Sequence, residues 1–83
     1  QLERAGILAT LSAMKTLSDC EPVQESAIVA IAKYDNLDAI KKAGGLSSMG
    51  IALENFPNNI VIQHQGSETM KRLLKVGRST EVE

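Results

Sequence analysis

Asp35-Asn36-Leu37-Asp38-Ala39-Ile40-Lys41-Lys42-Ala43-Gly44-Gly45-Leu46, residues 35–46, decides the fold: it is a short helix stopped by paired glycines. Asp35 can accept a hydrogen bond from a free N–H at the start of a helix spanning about Asn36 to Ala43, and Asp38 sits near its positive end. Gly44 and Gly45 permit positive φ without the Cβ penalty, so the chain can turn sharply there.

On either side the chain reads as helix. Downstream, Leu46, Met49, Leu53 and Phe56 fall on one side of a helix that Phe56-Pro57-Asn58-Asn59 breaks, leaving an asparagine to cap the next. The last helix, about Asn59 to Val76, buries Ile62, Gly66, Met70 and Leu73, and a polar tail follows at 78–83. Upstream, Ile7, Leu11, Met14 and Leu17 form a stripe at three- and four-residue spacing. Pro22 suits the first turn of the next helix. That helix continues through Val23, Ala27, Ala30, Ile31 and Tyr34, and Ile28 and Ala32 widen its apolar side.

Superposing Gly6 on Gly45 gives an offset of 45 − 6 = 39 residues that pairs the apolar positions of both halves without a gap. Ile7 meets Leu46, Met14 meets Leu53, Leu17 meets Phe56, Val23 meets Ile62, Ile31 meets Met70 and Tyr34 meets Leu73. Identity is confined to Gly6/Gly45, Ala13/Ala52 and Gln24/Gln63, so the pattern carries the argument. A unit of about 40 residues built this way cannot enclose its own core and must stack on a neighbour. A four- or five-helix bundle with accidental symmetry is the competing architecture.

Composition fits closely packed helices. Aliphatic residues and alanine supply nearly all of the 43% hydrophobic fraction, and Tyr34 and Phe56 are the only aromatics. A net charge of -1 gives no long-range field that would argue for nucleic acid or an acidic membrane as partner, and neither is expected. No apolar run approaches the roughly 20 residues that span a bilayer. Cys20, the single cysteine, has no partner for an internal disulfide. These features give the expectation of an intracellular, cytoplasmic protein without membrane attachment. The opening at Gln1 in mid-helix gives the further expectation of a longer parent chain.

The residues Ala5-Gly6-Ile7 with Val23-Gln24-Glu25-Ser26-Ala27, and Ala43-Gly44-Gly45-Leu46 with Ile62-Gln63-His64-Gln65-Gly66, resemble the armadillo repeat. In that family a short helix ends at glycine, an aliphatic helix follows, and Val-Gln precedes a small residue in the long third helix. The resemblance covers about Leu2 to Leu74. It implies an all-α, right-handed α-solenoid of about two repeats and five to six helices, with repeat one at about 1–34 and repeat two at about 35–77. HEAT repeats are the nearest alternative, and Gly44-Gly45 separates the two. In the family the long third helices line a concave groove, often with an asparagine near the end of each. Lys33 and Arg72 occupy those positions here, so recognition of nuclear-localisation signals is not implied. Counting back one and two turns from each along the same face adds Val29 and Ser26, and Glu68 and Gln65. The expected groove is therefore Ser26, Val29, Lys33, Gln65, Glu68 and Arg72.

The functional expectation is a protein-protein interaction or scaffold module that takes a protein or peptide ligand, with no catalysis, cofactor or metal. The alternative is a structural fragment that associates with itself through open repeat ends, since two units fall below the roughly three of a robust array. Lys33 and Arg72 could form a basic ladder, against the plainer reading of two solvated charges. Lys71, Arg72, Lys75 and Arg78 are better read as stabilising a helix end than as contacting nucleic acid. His64 has no second candidate ligand at metal spacing. No G-x-S-x-G motif surrounds any serine, and Gly44-Gly45 matches neither dinucleotide nor Walker spacing. Cys20 is read as buried between helices rather than reactive, and Met14, Met49 and Met70 as core residues.

Overall fold

A computed structural model describes the backbone of residues 2–82 and the side chains of 3–76. Its five helices account for 82% of the chain, and there are no strands among the described residues. They are α1 (Leu2–Thr16), α2 (Glu21–Lys33), α3 (Leu37–Lys42), α4 (Gly45–Asn55) and α5 (Ile60–Val82). Helix α5 runs on to Val82, past the end expected near Val76 and through most of the segment expected as a flexible tail at 78–83.

Several helix ends have an identifiable chemical reason. Glu21 and Pro22 open α2, where a carboxylate meets the positive helix end and proline sacrifices no intrahelical bond. The α3 cap is Asn36, whose Oδ1 accepts from the Ala39 N–H at 3.1 Å, one residue later than the Asp35 expected from sequence. The Asp35 and Asn36 N–H groups instead donate to Glu3 Oε2 of α1, at 3.0 and 3.3 Å. Of the paired glycines only Gly44 takes positive φ, at 92°. Gly45 is needed for space: an added Cβ would collide with the Ile40 side chain and lie 2.8 Å from the Ile40 carbonyl oxygen. Asn59 caps α5 as expected, its Oδ1 accepting from the Ile62 N–H at 2.9 Å.

One core runs through all five helices. Ile7 from α1, Ile28 and Ile31 from α2, Ile40 from α3, Met49 from α4, and Ile62 and Leu73 from α5 are shut off from solvent. Helix α2 packs on α1 and on α5, α4 on α1 and on α5, and α3 against α1, α4 and α5. The extents of 39 × 27 × 17 Å leave room for about two helix layers in the thinnest direction. Leu17 departs from the expected buried stripe and is 47% exposed. It lies in the turn just after α1 ends, its N–H still bonded to the Ala13 carbonyl. Val23, Tyr34 and Met70, also expected to be buried, are half-buried.

The corners α1–α2 and α4–α5 are built from the same hydrogen bonds. Leu17 N–H donates to Ala13 O at 2.8 Å, Cys20 N–H to Leu17 O at 3.0 Å and Gln24 N–H to Cys20 O at 3.0 Å. Moving on by 56 − 17 = 39 residues, Phe56 donates to Ala52 O, Asn59 to Phe56 O and Gln63 to Asn59 O, at 3.0, 3.2 and 2.9 Å. The side chains follow suit. Gln24 Nε2 donates to the carbonyls of Met14 and Leu17, and Gln63 Nε2 to those of Leu53 and Phe56. Carbonyls left open where a helix ends must find other donors, and one glutamine supplies them at each corner.

Candidate protein-interaction surfaces

Residues on α2 and α5 that recur with helical spacing can form one face only if the two helices hold a fixed register. Polar contacts hold it at both ends. At the start of α5, Asn59 Nδ2 donates to Glu21 Oε2 at 2.7 Å and Glu25 Oε1 at 3.1 Å on α2. Toward the far end, Arg72 Nη1 donates to the Ala32 carbonyl at 3.1 Å, one of the last-turn carbonyls of α2 that lack an intrahelical partner. Between these two points Gly66 allows α5 to approach α4 closely, since an added Cβ would lie 3.1 Å from Leu53 Cδ2, while Ile28 Cδ1 of α2 would be in ordinary contact at 3.9 Å. Asn55 Nδ2 adds a contact at the corners, donating to the Ser18 carbonyl at 3.3 Å.

The six expected groove residues occupy these helices in different ways. Ser26, Lys33 and Glu68 are exposed, while Val29, Gln65 and Arg72 are half-buried. Ser26 borders a hollow on the α1 side of α2, shared with Ala13, Val23 and Ala30. Glu68 borders one on the outer side of α5 with Ile60, Gln63 and His64, and pairs with Lys71 at 3.5 Å across a solvated surface. The set thus runs from one flank of the helix pair to the other. Arg72 and Lys33 do not form a matched ladder, because one Arg72 nitrogen is committed to the Ala32 carbonyl while Lys33 projects into solvent. Of the basic stretch, Lys71 and Lys75 are exposed, and the Arg78 side chain lies outside the described residues.

A second surface escaped the sequence reading. Helices α1 and α4, with the end of α3, enclose a trough of about 540 Å3 whose apolar lining includes Leu8, Leu11, Met14 and Ile51. Leu8 is 53% exposed and Ile51 46%. Both are large aliphatic residues lying off the main buried stripe of their helices, and that off-stripe position was the available signal.

Cys20 is half-buried, at the N-cap position of α2, and its side chain makes no capping bond there. His64 is exposed. Among the described residues no group of three or more His, Cys, Asp or Glu side chains could hold a metal ion, and no helix is long and apolar enough to cross a membrane. No protein-family model, no curated protein and no solved structure matches this chain.

Proposed function

We propose that the chain is a protein-binding module of two armadillo-like units, about 1–34 and 35–77, stacked as in a right-handed α-solenoid, and that the paired long helices α2 and α5 carry the ligand. The observation behind this reading is the pinning of α5 to α2 at both ends, by Asn59 on Glu21 and Glu25 and by Arg72 on Ala32. A face fixed before the ligand arrives loses less conformational freedom on binding. Ser26, Val29 and Lys33 on one helix and Gln65, Glu68 and Arg72 on the other would each add a modest contact along an extended or helical protein segment. The reading needs no catalytic step or cofactor.

Peptides selected from a display library on the immobilised chain test it. Lys33→Glu and Glu68→Lys change exposed side chains without touching the core, and each should weaken a selected peptide about tenfold, in the range of an important interface charge. Peptides indifferent to both substitutions would contradict the assignment.

One observation favours a second reading, self-association. The α1–α2 hairpin has an outer face formed by Thr10, Ala13, Val23, Ala27 and Ala30. Adding 39 to each number gives Met49, Ala52, Ile62, Gly66 and Thr69, all buried within the molecule. Thr10, Ala13, Val23 and Ala30 are only half-buried, whereas Ala27 is buried like its counterpart, so four of these five positions are more open in the first hairpin than in the second. Sedimentation equilibrium separates the readings: a mass that rises with concentration, and returns to monomer in Ala30→Glu, supports self-association, whereas a fixed monomer mass excludes it.

A further inference from the structure

We infer that the trough along α1, walled by α3 and α4, docks an amphipathic helix of a partner protein whose apolar stripe is edged by acidic residues. This surface is separate from the α2–α5 face.

Three features carry the inference. The first is exposed apolar area in a concave setting: Leu8 and Ile51 stand half in solvent on facing helices, above Leu11 and Met14. The second is length. A smaller hollow of about 210 Å3, bounded by Arg4 and Lys42, shares Leu8 and Ala43 with the trough, so the two run together along α1 from Arg4 to Lys15. Those 15 − 4 = 11 residues rise about 16 Å, enough for three turns of a guest helix with apolar residues at i, i+3, i+4 and i+7. A rod fits such a trough better than a planar bilayer does.

The third feature is charge. Every charged residue lining either hollow is basic: Arg4, Lys15 and Lys42. Asp38 lies 3.2 Å from Lys42, but both side chains are mostly exposed, so the pair is weak and open to exchange for a partner carboxylate. Glu54 holds on α4 the position that Lys15 holds on α1, since 54 − 15 = 39, and does not line the trough. Arg4 and Lys42 line one end and Lys15 the other, with no acidic residue in either lining, so acidic residues on the flanks of the guest meet basic partners at both ends. Complementary charge of this kind selects and orients the partner, while the buried apolar stripe holds it.

The test uses the full chain and a fluorescent peptide helix of about fourteen residues, with leucines at i, i+3, i+4 and i+7 and glutamates on both flanks, beside a version with lysines for the glutamates. The acidic peptide is expected to bind at least about tenfold more tightly at low salt and to lose that advantage as salt rises. Leu8→Asp and Ile51→Asp should each weaken it about fivefold or more, with helicity retained because both side chains are already half in solvent. The exposed pair Arg4→Glu with Lys42→Glu should abolish the preference for acid, and Lys33→Glu should leave binding unchanged. Equal affinity for the two peptides, indifference to Leu8 and Ile51, or binding only to anionic lipid vesicles would overturn the inference. Dependence on Lys33 instead would also overturn it while supporting the α2–α5 face.

Discussion

The α1–α2 corner and the α4–α5 corner are the same turn in two environments. Both use a glutamine to satisfy the carbonyls at a helix end, but Gln24 is 1% exposed whereas Gln63 is half-buried. Both reach the next helix through the same backbone bonds, yet Asn59 caps α5 with its side chain and Cys20 gives α2 no such bond. Backbone satisfaction is common to the two corners. What differs is how much of the molecule covers each, and whether the capping residue also grips its neighbour.

The largest expected effect separates the glycines that align the two halves. Gly45→Ala sets a Cβ against the Ile40 carbonyl, a backbone atom that cannot step aside, and should cost about 3 kcal/mol in urea unfolding. Gly6→Ala meets only the Tyr34 hydroxyl end, which can swing away, and alanine's better helix propensity offsets the crowding. That variant should stay within about 1 kcal/mol of the parent. Equal costs at the two sites would mean the close approaches are misassigned.

Next comes the glutamine pair. Gln24→Leu leaves the Met14 carbonyl without its side-chain donor in a buried place, while the Leu17 carbonyl keeps the Cys20 N–H, and should cost about 2 kcal/mol. Gln63→Leu breaks the equivalent bonds where water can replace them, so about 1 kcal/mol is expected. Denaturant midpoints of the two variants, measured side by side, check the order.

The caps give the smallest effects. Asn59→Ala removes the bond to the Ile62 N–H and should cost about 1 kcal/mol. The same substitution frees α5 from Glu21 and Glu25, so it should also raise amide exchange early in α5. Cys20→Asn supplies α2 with the cap it lacks and should raise stability by about 0.5 kcal/mol.

Much of the helical layout was legible because it rests on local chemistry. Pro22 in a first turn, Gly44 at positive φ and Asn59 as a cap are each decided within a few residues. The choice of Asn36 over Asp35 was not local. Both side chains can cap, and Glu3, more than thirty residues away, takes the Asp35 and Asn36 N–H groups and so sets which side chain meets Ala39. Leu17 fits the periodic stripe and is nevertheless exposed, since periodicity does not say where α1 itself ends. The spacing of Ser26, Val29, Lys33, Gln65, Glu68 and Arg72 could be counted from sequence. The tie from Arg72 to Ala32 and the trough beside Leu8 and Ile51 arise only when separate helices meet.

The central claim is that α2 and α5 act as one binding face, and an amide chemical-shift titration of the whole chain with a display-selected peptide tests it most directly. Resonances around Ser26, Val29 and Lys33 are expected to move together with those around Gln65, Glu68 and Arg72, at the same peptide concentration. Shifts on only one of the two helices, or on neither, would contradict the claim.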